Sequence, residues 1–177
     1  KYALTVPCGK VIKMIAAKPN YSSDEKTVET TNENEGEIKD VNFELSNYDD
    51  LVVKKQGVEK GDVKPIYFDY DKYDITPLAI EELSKLVFIM KKFPNIRIKI
   101  ESHTDSRGKD AYNMKLSDNR AKSTRDYIIS QDIDPSRIES AIGYGESRLI
   151  NKCKNGVKCT EEEHLLNRRS DFIIIQK

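Results

Sequence analysis

A chain of 177 residues holds one comfortable domain, or one domain and a smaller module. At 37% hydrophobic and 34% charged it has enough apolar side chains for a core, under a heavily charged surface, and its thirty basic and thirty acidic side chains cancel. A neutral chain without a basic block argues against nucleic acid held through its phosphates, and no apolar run is near the length of a bilayer crossing.

No signal-peptide pattern opens the chain, so Lys1 reads as the start of a fragment or mature product. Residues 1–53 read as a small β module. Tyr2, Leu4 and Val6 alternate with Ala3 and Thr5, Val11 to Ala17 is short and apolar, and Val41, Phe43 and Leu45 alternate with Asn42 and Glu44. Ser22 to Lys39, rich in Glu, Thr, Asn and Ser, reads as a loop or an edge hairpin. Residues 54–64 carry two glycines and alternating charge, which predicts a linker.

The main domain is expected over 65–177. Ile66 to Tyr70 is a short strand. Thr76 and Pro77 fit a helix N-cap and first helical position, and Leu78, Leu83, Leu86, Val87 and Met90 form the expected core stripe. Ile96, Ile98 and Ile100 alternate with Arg97, Lys99 and Glu101, the pattern of a strand with one buried face. A polar turn ending in Gly108 leads to a helix at about 110–130, on which Asn113, Leu116, Arg120 and Thr124 share a face. Asp134-Pro135 turns into a third strand at 137–142. Thr160 to Glu163 is a capping box opening a short helix, and 170–175 is the last strand. The order βαβαβ(α)β predicts an α+β domain with helices on one face of a mixed sheet.

Asp105 leaves the second of these strands, and Arg120 stands fifteen positions on along the helix. On spacing alone Asp105 reads first as a capping carboxylate. The motifs point further. His103-Thr104-Asp105, Gly108, Tyr112-Asn113, Leu116-Ser117 and Arg120-Ala121 closely resemble the signature of OmpA-like domains, which anchor outer-membrane proteins to peptidoglycan. Phe68-Asp69, Gly143 to Glu146 and Asn167 to Arg169 extend the resemblance, in the family's order, over residues 64–177. Ser102 replaces a common Gly, and Leu149 a common Pro. Tyr2 to Gly9 and Ala17 to Tyr21 resemble part of the carboxypeptidase regulatory-like β-sandwich that precedes such domains in some Bacteroidetes outer-membrane and type IX secretion proteins. The alternative is an extension that packs on the main domain.

The resemblance implies a ligand, the diaminopimelate of the peptidoglycan stem peptide. Arg120 would take its carboxylate with a planar fork and Asp105 its ammonium. A lysine stem has the ammonium but not the carboxylate, which supplies discrimination. Thr104, Asn113 and Leu116 complete the expected site: loop hydrogen bonds, an amide on the Arg120 face, and an apolar wall. Phe68, Asp69, His103 and Arg168 match family positions and are expected in supporting roles, Asp69 bonding loop amides and Arg168 pairing with an acid. Expected partners are peptidoglycan and, through parts outside this chain, outer-membrane proteins or a secretion complex. The implied place is the periplasm, at the outer membrane.

Cys153 and Cys159 bracket five residues, and the spacing reads as a disulfide stapling a polar loop, the alternative being two free thiols. With His164 they would give only three zinc ligands, so no metal is expected, nor any cofactor. Cys8 is expected to be a small buried apolar residue. Catalysis is not expected. There are two histidines and no Gly-x-Ser-x-Gly elbow, P-loop or His-Glu-x-x-His. A cell-wall hydrolase would need a paired-acid site. A structural adaptor for a protein partner is the other alternative.

Overall fold

The structure, a computed structural model, describes residues 2–31, 38, 40–55, 58–61 and 63–176. The chain divides into two units, Lys1–Asp50 and Leu51–Lys177.

In the first unit β1 (Val11–Ala16) pairs antiparallel with β2 (Asp24–Glu29), Ile12 opposite Val28. Lys13 and Glu25 form an ion pair across the ladder at 2.9 Å. The β2 stretch, Asp-Glu-Lys-Thr-Val-Glu, has poor intrinsic strand propensity, and of the two readings of this stretch, loop or edge hairpin, the structure takes the hairpin. Cross-strand pairing overrides propensity here. Conversely, the alternating stretches at 2–6 and 41–45 form no regular strand. Thr30 Oγ1 accepts from Lys10 N and donates to Pro7 O at 2.8 Å, which braces the start of the unit. Cys8 is exposed rather than buried. Much of the 32–39 stretch lies outside the described residues.

A short helix α1 (Tyr48–Leu51) leads into β3 (Val52–Lys55), which pairs antiparallel with β4 (Val58–Gly61). The expected linker thus holds a hairpin. The sequence supplies β-branched valines at 52, 53 and 58, which the glycine and charge pattern concealed.

The main sheet is β5 (Ile66–Tyr67), β6 (Arg97–Ser102), β7 (Ile138–Gly143) and β8 (Arg169–Gln176), in the order β5-β8-β6-β7. β6 runs parallel to β7 and antiparallel to β8, and β5 is antiparallel to β8. The sheet is therefore mixed, as expected. Ile98, Ile100 and Ser102 of β6 are buried while Arg97, Lys99 and Glu101 alternate on the wetter face.

Two helices cover that apolar face. α2 (Pro77–Lys92) starts where Thr76 Oγ1 accepts from Ala79 N at 3.2 Å with Pro77 at the first position. It buries Leu83, Leu86, Val87, Ile89 and Met90. Leu78, expected in this stripe, is 75% exposed, because it lies in the first turn on the far side from Leu83. The helix's final carbonyls are met by Arg137, which donates to Met90 O and Phe93 O at 2.8 and 2.9 Å. α3 (Asp110–Ser130) is different. Its buried face holds Asn113, Ser117, Arg120 and Thr124 beside Leu116, Ala121 and Ile128. So polar a buried face is too costly for packing alone. Finally α4 (Glu161–Leu165) opens with the predicted capping box, Thr160 to Glu163. Among the described residues no helix is long and apolar enough to cross a membrane.

Candidate functional site

The site forms where β6 ends. Ser102 closes the ladder, and Thr104 N donates to Gly145 O at 2.9 Å, so the 103–108 loop lies against the turn after β7. Asp105 sets the loop's shape with an Asx bond, Oδ1 accepting from Arg107 N at 3.0 Å. Gly108 then takes φ +117°, a conformation closed to other residues. Asn113, one turn into α3, donates to Asp105 O and Arg107 O at 3.3 and 3.2 Å. It therefore fixes the loop from the helix side. Gly143 is needed for close approach. A Cβ there would stand 2.2 Å from Asp118 N of α3.

These contacts frame a cavity of about 140 Å³ lined by Thr104, Asp105, Asn113, Leu116, Arg120 and Arg168, with Tyr70, Asp71, Arg107, Gly108 and Tyr112 completing its wall. The five residues expected to hold ligand thus share one cavity. It is smaller than the ~300 Å³ typical of drug-sized ligands. It suits one small head group with the rest of the molecule outside.

Arg120 is fully buried. Its Nε donates to Lys72 O at 2.8 Å, Nη1 to His103 O at 2.9 Å and Nη2 to Asp69 O at 3.1 Å. Phe68 lies under the guanidinium, 5.0 Å to the ring centroid. Among the described residues no carboxylate lies within ion-pair distance of it. One N–H on each terminal nitrogen remains for another acceptor. Burial, and then the neighbouring charge of Arg168, lower its pKa to about 10, so it stays a cation at neutral pH.

Asp105 is equally buried but well partnered. Its Oδ2 accepts from Arg107 Nη2 at 2.6 Å, Arg107 Nε at 3.2 Å and Arg168 Nη1 at 3.0 Å. Arg107 Nη1 and Arg168 Nη2 then both reach Glu161, at 2.8 and 2.7 Å, closing a ring of two arginines and two carboxylates. Burial alone would raise the Asp105 carboxyl, but the hydrogen bonds from Arg107 and Arg168 outweigh it and hold it below its ordinary value. Oδ2 is saturated, and spare acceptor capacity remains on Oδ1. Thr104 Oγ1, 2% exposed, has no partner among the described residues.

The OmpA family model matches residues 67–162, more than half of the chain. The chain belongs to the OmpA family. Over 100 residues this OmpA chain is 38% identical to outer membrane porin F of Pseudomonas fluorescens, covering 56% of this chain and 29% of that protein. It is 33% identical over 104 residues to the peptidoglycan-associated lipoprotein of Agrobacterium fabrum, covering 59% and 55%. The chain spans only about a third to a half of these relatives. The fold is similar to the crystal structure of the peptidoglycan-associated lipoprotein from Burkholderia pseudomallei, with TM-score 0.58, 24% identity and coverage of 64% and 92%. It is also similar to the C-terminal domain of Helicobacter pylori MotB, with TM-score 0.56, 19% identity and coverage of 65% and 86%.

The supporting residues of the OmpA domain divide. Arg168 pairs with acids as expected, Asp105 and Glu161. Phe68 packs beneath Arg120. His103 is buried, stacked on Tyr144 at 5.8 Å, with Nε2 3.5 Å from Asp171. It fixes the loop rather than facing the cavity. Asp69 is the correction. Its carboxylate is exposed and pairs with Lys72 at 3.4 Å, so only its backbone carbonyl serves the site. Arg107 and Glu161 were missed. Arg107 had a local signal, two residues after Asp105, whereas Glu161 lies 54 residues further on. Cys153 and Cys159 form the expected disulfide. A group of Cys153, Cys159 and Glu163 is close enough for a metal, but its two sulfurs are bonded to each other and offer no thiolate.

Proposed function

We propose that this OmpA domain binds peptidoglycan non-covalently through the diaminopimelate of the stem peptide, tethering an outer-membrane-associated protein or complex to the cell wall from the periplasmic side. One observation carries the reading: Arg120, a fully buried cation with no carboxylate partner among the described residues, lining a cavity the size of an amino-acid head. Three backbone carbonyls solvate this guanidinium but leave its charge unneutralised, so an anion that reaches it gains a strong partner. The ligand's carboxylate is that anion, held bidentately by the two remaining N–H groups of Arg120. Its ammonium goes to the spare acceptor sites of Asp105 Oδ1. Thr104, which lines the same cavity and whose Oγ1 has no partner among the described residues, supplies a further hydrogen bond, and Leu116 faces the methylenes.

The relatives support the reading at the coarse level, since one of them is named for its association with peptidoglycan. The chemistry is recognition without catalysis. Arg107, Arg168, Asp105 and Glu161 are locked in one ring of hydrogen bonds, and His103 is turned into the protein. The test is calorimetry with a diaminopimelate-containing muropeptide beside its lysine counterpart. Binding of the first, and a markedly weaker response to the second, is the expected result. Equal affinity would remove the role given to Arg120. Binding to a protein partner while purified sacculi are ignored would favour the adaptor alternative.

A further inference from the structure

We propose that the Cys153–Cys159 disulfide is a redox-linked positioning device for the ligand loop, so that reducing it weakens capture of the diamino acid head. The inference rests on the function proposed above. Two bridges join the staple to the site. Ser106, the residue after Asp105, donates from Oγ to Cys153 O at 2.6 Å, and both residues are buried. The second bridge starts inside the disulfide loop. Asn155 Nδ2 donates to Glu146 Oε1 at 2.6 Å, and the other oxygen of Glu146 accepts from Asn113 Nδ2. Asn113 is the residue that holds the carbonyls of Asp105 and Arg107.

Within the loop itself the other fixings are backbone turns, Val157 N donating to Lys154 O at 3.0 Å and Lys154 N to Lys152 O at 2.8 Å. Residues 154–158 are Lys-Asn-Gly-Val-Lys, polar and largely exposed, with no regular structure. A Cβ added at Gly156 would meet nothing within 4 Å. A segment with so few packed side chains depends on its covalent closure for a fixed shape. In the reduction a dithiol gives two electrons and two protons to the Cys153–Cys159 bond. That bond breaks into two thiols, and the dithiol closes into its own disulfide. Asn155 and the Cys153 carbonyl are then free to leave Glu146 and Ser106, and the backbone that carries Asp105 loses the braces at Ser106 and, through Glu146, at Asn113. Asp105 stays charged, so what changes is where its Oδ1 points. Ser106, Glu146 and Asn155 are therefore positioning residues, acting through Asp105 and Asn113.

The experiment titrates a diaminopimelate muropeptide into the oxidised protein, into the same protein in dithiothreitol, and into the Cys153→Ser/Cys159→Ser variant, with circular dichroism confirming the fold. The expected result is an affinity about tenfold lower in the reduced and Ser forms, the scale of one positioning hydrogen bond. A Ser106→Ala/Asn155→Ala variant keeps the disulfide but lacks both bridges. It is expected to bind as weakly as the reduced protein and to be indifferent to dithiothreitol. This variant decides the matter if reduction unfolds the domain. Wild-type affinity in the bridge variant, or equal affinity of folded oxidised and reduced protein, overturns the inference and leaves the proposed function standing. Absence of binding by the oxidised wild type overturns both.

Discussion

Arg120 keeps its charge inside the protein because three carbonyl dipoles, from Lys72, His103 and Asp69, share it. Dipoles solvate a cation without neutralising it, so the site is poised for an anion. Lysine at this position would keep the charge and lose the fork. Arg120→Lys is therefore expected to fold and to bind the muropeptide weaker by about 2 kcal/mol or more, roughly 30-fold, in calorimetry. Asp105 answers to a different balance. Asp105→Asn preserves shape but leaves the buried Arg168 facing Glu161 alone, and stability is expected to fall by about 3 kcal/mol in urea unfolding. Because folding lowers the Asp105 pKa, its contribution is complete above the ordinary carboxylate value of about 4. It is lost as pH falls through the lowered value. A pH series of wild-type urea midpoints should thus decline at the acid end, and the Asp105→Asn series should decline less. Spacing alone reads Asp105 as a capping carboxylate, and it is the resemblance to OmpA-like domains that puts Asp105 and Arg120 in one site. The arginine ring around Asp105 was not legible, because Glu161 reaches it from a separate helix and pairing at such range leaves no local pattern.

At the scale of elements, the regular pieces of the main domain followed from period and punctuation. The isoleucine alternation gave β6 within a residue, and Thr76-Pro77 gave the start of α2. The N-terminal unit is legible only in part, its hairpin at 11–29 falling where a strand and an edge hairpin are expected. Its alternating stretches at 2–6 and 41–45 lack ladder partners, and its unpromising β2 has one in β1. Strand formation is a property of pairs, and a single segment does not reveal its pair. The register of β7 against α3 was also hidden, although Gly143 marks it. Substituting Gly143→Ala puts a Cβ 2.2 Å from the backbone of α3, and the helix must shift to admit it. A loss of about 1–3 kcal/mol is expected, the usual cost of overpacking, seen as a lower urea midpoint with an unchanged slope. Weaker ligand binding should accompany it, since Asn113, Leu116 and Arg120 ride on the same helix.

For the whole molecule, the division at Asp50 and Leu51 leaves every residue of the cavity in the second unit. The cavity proposed to bind ligand and the first unit are therefore separate along the chain. The second unit also has its own apolar core, with Leu83, Leu86, Met90, Ile98, Ile100 and Ile128 each fully buried. A core of that kind is what independent folding requires. A fragment of residues 51–177 is expected to unfold cooperatively and to bind the diaminopimelate muropeptide as tightly as the 177-residue chain. Calorimetry on the two proteins side by side checks it. A fragment that folds but binds more weakly would assign part of the ligand contact to the first unit. A fragment that fails to fold would show that the first unit supports the fold. If affinity is the same, the first 50 residues are free to serve attachment or assembly, and the grip on the cell wall belongs to the corner where β6 meets α3.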